Sequence, residues 1–113
     1  LEWGEGPAAC LRREALEELG QPVAIDRLCH VSEHAYVSSF DGTQQVMAVH
    51  YCARLLDEPR FDDGGMLADV FGKRIPLMKQ VLGWRPVDGL EPSEFFFASD
   101  REAWVDWLSQ RHQ

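Results

Sequence analysis

Basic residues are scarce in this chain: eleven Lys and Arg stand against nineteen Asp and Glu, a formal net charge of −8. A protein that neutralises a long phosphate backbone needs the opposite sign, so long nucleic acid is not an expected partner. The carboxylate surplus suits a different task, recruiting a divalent cation that in turn meets a small phosphate-bearing ligand. Cysteine is scarce as well. Cys10, Cys29 and Cys52 form an odd set with no C-x-x-C pair and no spacing to histidine of the kind that suggests zinc, which fits a reducing, cytoplasmic setting. No apolar run approaches the roughly 18 residues of a membrane span, and no basic-then-apolar leader opens the sequence, so a soluble protein with no membrane partner is expected. Repeats and low-complexity tracts are missing too.

What the chain does have is enough apolar and aromatic material for a core. Its 113 residues are 45% hydrophobic and include four Trp and six Phe, the size and composition of one domain spanning 1–113. Leu1-Glu2-Trp3-Gly4-Glu5-Gly6 reads as a loop already in progress, so an N-terminal portion is expected to precede it. From Pro7 to Leu19 there is no Gly, no β-branched residue and no further Pro, and Gly20 and Pro22 then stop the run; a helix is predicted there. Val23–Val37 and Gln45–Leu55 are rich in Val, Ile, Tyr and Cys and flank Asp41-Gly42, which predicts a hairpin. Residues 57–65 read as a loop, 66–80 carry some helical character, and 81–87 read as a short strand before the turn Asp88-Gly89. Ser99 and Glu102 stand as a capping box before Ala103, Trp104, Trp107 and Leu108, predicting a last helix whose indoles pack against the sheet.

The first helix carries the chemistry. On a helical wheel Glu14, Glu17 and Glu18 fall within an arc of roughly 100°, beside an arc holding Ala8, Leu11, Ala15, Leu16 and Leu19. Like charges four apart destabilise a helix by about 0.2–0.5 kcal/mol, and only Arg13, four residues before Glu17, offers local relief. A glutamate-rich helical face is in most proteins solvated surface. Three carboxylates converging on one face also suit a hard cation such as Mg²⁺, which takes oxygen ligands and keeps waters or substrate phosphates for its remaining positions.

Context separates the two readings. The segment from Gly4 to Gly20, Gly-Glu-Gly-Pro-Ala-Ala-Cys-Leu-Arg-Arg-Glu-Ala-Leu-Glu-Glu-Leu-Gly, resembles the signature of the Nudix hydrolases. That signature runs Gly, five of any residue, Glu, seven of any, Arg-Glu-apolar, any, Glu-Glu, any, Gly-apolar. Glu5, Arg13, Glu14, Ala15, Glu17, Glu18 and Gly20 fall at its spacings. Two positions depart from it: the opening Gly would lie before Leu1, and Gln21 stands where the last apolar residue belongs; the apolar contact is expected to pass to Val23. Trp84-Arg85-Pro86-Val87-Asp88-Gly89-Leu90 is similar to a strand-and-turn segment found later in many members.

The resemblance implies an α/β (α+β) fold, a mixed β-sheet sandwiched between helices and here lacking its N-terminal strands. It also implies an activity: hydrolysis of the pyrophosphate linkage of a nucleoside diphosphate joined to another moiety, with Mg²⁺ or Mn²⁺ as cofactor. Under it Glu14, Glu17 and Glu18 are the metal ligands, Arg13 orients the neighbouring glutamates, Glu5 supports that network or a metal, and Glu14 is the first choice as general base. Glu58, Asp62 and Asp63 are loop candidates for a further acidic ligand. His34 and His50 lie in strand-like runs and read as structural in preference to substrate contacts, and Cys10 as a small packing residue. Many relatives dimerise, so a homodimer is one assembly the resemblance implies. A Nudix-like module that binds a nucleotide or protein without turnover is the alternative, and the full Arg-Glu-any-any-Glu-Glu core favours catalysis over it.

Overall fold

A computed structural model describes residues 1–37, 42–60 and 82–111. The expected first helix is α1, Pro7–Leu19, with Pro7 in its first turn behind an extended Gly6. Gly20 ends it at φ 70°, donating its N–H to the Leu16 carbonyl at 3.0 Å. Glycine holds that left-handed conformation without the Cβ clash other residues meet. Ala15 on the apolar arc is buried, whereas Leu16 on the same arc is 52% exposed.

The hairpin forms, but not as two unbroken strands. β1 (Val23–Val31) pairs antiparallel with β4 (Val49–Leu55), from Val23 opposite Leu55 to Val31 opposite Val49. Further out, β2 (Tyr36–Val37) pairs antiparallel with β3 (Gln45–Val46). Between the two ladders residues 32–35 face only 47–48. Buried Ser32 explains the break: its N–H donates to the Ala48 carbonyl at 2.9 Å, and its hydroxyl accepts from the Ala48 N–H at 2.8 Å. A side chain has taken a ladder position, and the longer strand bulges around it. His34, expected in a strand, lies instead on the exposed bend of that bulge. β1 shifts register twice more, between Ile25 and Arg27 and between Leu28 and His30.

Residues 82–87 form no strand among the described residues, contrary to expectation; the turn at Asp88-Gly89 is present, with Gly89 at φ 85°. Arg85 is held by Glu94 at 2.7 Å, and that tie to the following turn replaces ladder pairing. The predicted helix at 66–80, the residues of the hairpin turn at 38–41 and Val81 lie outside the described residues.

The last helix is α2, Ala98–Gln110, but its start differs from expectation. Phe97 is the N-cap and makes no side-chain cap, so Ser99 and Glu102 are inside the helix. The capping box sits upstream, where Glu91 and Glu94 close the 3₁₀ turn Pro92–Glu94. Arg101 draws the helix start back by donating from Nη1 to the Phe95 and Phe96 carbonyls, each at 2.8 Å. Both helices pack against β1. The indoles behave as expected: Trp104 and Trp107 stack at 5.1 Å and, with Cys29, His50 and Cys52, line the space between α2 and the sheet. This is the mixed α and β fold the sequence implies, with antiparallel ladders among the described residues.

Candidate active site

The site begins with a fork. Arg13 donates from Nε to Glu5 Oε2 at 2.9 Å and from Nη2 to Glu5 Oε1 at 3.0 Å, tying the loop before α1 to the helix through a bidentate pair. The Glu2 N–H donates to Glu5 Oε1 at 3.0 Å. The third nitrogen, Nη1, reaches Glu17 at 3.2 and 3.3 Å, and Nη2 lies 3.8 Å from Glu14 Oε1. One guanidinium thus spans three of the acidic candidates, a geometry that lysine's point charge could not reproduce.

The carboxylates differ in setting. Glu5 is nearly covered, with 13% of its side chain exposed, whereas Glu14 and Glu17 are 50% and 61% exposed. Glu18 is exposed and makes no ion pair among the described residues. Glu14, Glu17 and Glu18 therefore present oxygens to solvent while Arg13 holds the group from one side. No three His, Cys, Asp or Glu side chains among the described residues close around a common point to enclose a cation. What the helix offers is an open, all-oxygen face, which fits a cation that keeps most of its shell for water or phosphate. Cys10 sits 3.8 Å from Arg13 Nη2, and all three cysteines are free.

Of the loop candidates, Glu58 is exposed on the segment after β4, and Asp62 and Asp63 lie outside the described residues. Gln21, marked in the sequence as a departure from the signature but given no role, is fully buried and holds that segment: its Nε2 donates to the Glu58 carbonyl at 2.7 Å and its Oε1 accepts from the Arg60 N–H at 2.8 Å. The one available signal was its polarity at an apolar position. His30 was passed over. It meets Asp106 of α2 at 2.7 Å, and His50 meets Asp100 at 3.0 Å. These pairs bind α2 to the sheet, in agreement with the structural reading of His50. The His30 contact holds the Asp106 carboxyl below its usual pKa.

Compared with models of protein families, the chain matches the NUDIX domain over residues 1–108. The chain belongs to the Nudix family. Comparison with curated proteins and with solved structures finds no significant match. Nudix domains are in general pyrophosphohydrolases of small molecules that use divalent metals such as Mg²⁺, and membership places this chain among hydrolases of that type. No helix among the described residues is long and apolar enough to cross a membrane.

The fork also sets an acid limit for this Nudix domain. The Arg13 guanidinium, followed by the Glu2 N–H, lowers the Glu5 carboxyl from 4.5 to about 2, and the Glu5 carboxylate in turn pushes Arg13 further up. A depressed carboxyl stabilises the fold above its unfolded value, and that contribution is lost as pH falls through the folded value. Thermal unfolding of the parent and Glu5→Gln should therefore differ most above pH 5 and converge between about 4.5 and 2. A Tm difference that stays constant across that window would show that the fork does not contribute.

Proposed function

We propose that this Nudix chain hydrolyses the pyrophosphate linkage of a nucleoside diphosphate joined to another moiety, with Mg²⁺ or Mn²⁺ as cofactor. The observation that carries the reading is the Arg13 fork: it is anchored on Glu5, reaches Glu17, and leaves the face of Glu14, Glu17 and Glu18 open to solvent. Those three residues would hold the cation. Their donor atoms are hard carboxylate oxygens on an exposed face, which fits Mg²⁺ or Mn²⁺ sharing its shell with a phosphate. When bound, the metal supplies charge neutralisation at the phosphoryl oxygens and acidifies a coordinated water.

The chain's own groups do the rest. Arg13 keeps Glu17 from swinging away and cancels part of the repulsion along the face; its permanent charge lets it do so at any working pH. Glu5 fixes Arg13 in turn. Glu14, only distantly paired at 3.8 Å, keeps free lone pairs and is the proposed general base, accepting a proton as water attacks phosphorus and the anhydride P–O bond breaks. Glu58 is the proposed acidic group on the loop side.

A panel of sugar nucleotides, dinucleoside polyphosphates, ADP-ribose, oxidised nucleotides and coenzyme derivatives tests this. Incubated with the chain and Mg²⁺ or Mn²⁺, at least one class should release a nucleoside monophosphate or phosphate. Binding without release throughout the panel would replace the hydrolase with a silent nucleotide-binding module.

A further inference from the structure

The position where this chain leaves the Nudix signature holds the largest fully buried side chain among the described residues, Gln21. A buried primary amide brings two N–H donors and a carbonyl that need partners, so burial there is costly unless backbone meets it. Here it does. Nε2 donates to the Glu58 carbonyl and Oε1 accepts from the Arg60 N–H, and the flipped amide would set like against like at both ends.

Bonding a carbonyl and an N–H two residues apart is what one residue of a neighbouring parallel strand does. The contact lies just past the end of the antiparallel ladder. Val23 pairs with Leu55, the Leu56 N–H donates to the Pro22 carbonyl at 3.3 Å, and the Gln21 side chain takes over at residues 58 and 60. Asp57 and Arg60 close the same segment on itself at 3.3 Å. The segment 57–60 is thereby stitched to the residue that follows Gly20, the end of the helix bearing Glu14, Glu17 and Glu18.

We infer that Gln21 is a positioning residue that couples the acidic helix to the 57–60 segment and presents that segment already ordered to the substrate. The inference rests on the hydrolase reading above. An apolar side chain at position 21 would fill the space and complete the helix end, as the signature's own pattern implies, so folding does not require an amide. Holding the Glu58 and Arg60 backbone does. A segment ordered beforehand costs no ordering entropy when substrate arrives, and apparent affinity falls in proportion to the fraction of time it is out of place.

Gln21→Met is the informative variant, close in shape and without either bond, studied in the full chain. Its Tm should stay within about 3 °C of the parent while the Arg60 amide exchanges at least about tenfold faster by hydrogen exchange. Its Kd for α,β-methylene-ADP with Mn²⁺, measured by calorimetry, should rise about fivefold, and KM on any cleaved member of the panel should rise likewise with kcat within about twofold. Unchanged exchange and analogue affinity in Gln21→Met would overturn the inference, as would a joint fall of Tm and kcat with KM and Kd unmoved, the mark of a purely structural residue. A parent that binds the analogue but cleaves nothing sinks the hydrolase reading alone, and exchange and Kd still decide the coupling. A parent that neither binds nor cleaves overturns both.

Discussion

Replacing Glu17 and Glu18 together by Gln should lower turnover by about 10³-fold or more, with the fold retained. Both side chains are exposed, so neither supports the core, and exposed ion pairs of the Arg13–Glu17 kind contribute little to stability. Removing two like charges from one helix face also relieves repulsion with Glu14. Tm should therefore hold while kcat in Mg²⁺ collapses and Mn²⁺ binding, read by electron paramagnetic resonance, weakens. The double amide keeps size and one acceptor oxygen per side chain while removing the charge, the property a hard cation needs most. Parent-like rates in this variant would remove these residues from the site.

The largest stability effect belongs to Trp104→Ala. The Trp104 ring stacks on Trp107 at 5.1 Å and meets Phe95 at 5.7 Å, and its Nε1–H donates to the carbonyl of buried Leu90 at 2.8 Å. Truncation removes the stack, leaves a void between α2 and the sheet, and strands that carbonyl, a loss of about 3 kcal/mol or more. For a domain of this size Tm should drop by about 10 °C or more, followed by near-ultraviolet circular dichroism. Trp104→Phe keeps much of the ring contact and loses the hydrogen bond, so it should cost about 1 kcal/mol. A Tm for the alanine variant within about 2 °C of the parent would mean the aromatic stack does not hold α2.

These two predictions rest on different kinds of information. The first could be drawn from spacing alone. Pro7 and Gly20 bound α1 because each imposes one backbone conformation, and the spacing of Glu14, Glu17 and Glu18 assigns them to one face because the helical period is fixed. Asp88-Gly89 likewise makes its turn for reasons local to the dipeptide.

Where competition among distant groups decides the outcome, local reasoning went astray. Ser99 and Glu102 have the spacing of a capping box, yet Arg101 and the upstream carbonyls start α2 earlier, and Glu91 with Glu94 makes the box instead. The β-rich run through Val37 is interrupted because the Ser32 hydroxyl competes with backbone for the Ala48 N–H, a bond spanning 16 residues.

Order along the chain settled which side chains share α1 and, through the signature, the family those side chains belong to. That information is carried by residues within a few turns of one another, where backbone geometry alone dictates neighbours. Three-dimensional packing decided the partners: His30 with Asp106, 76 residues away, and Gln21 with Glu58 and Arg60, 37 and 39 away. Such contacts depend on which backbone groups are left unpaired once the strands have met, and no periodicity in the residues between them encodes that.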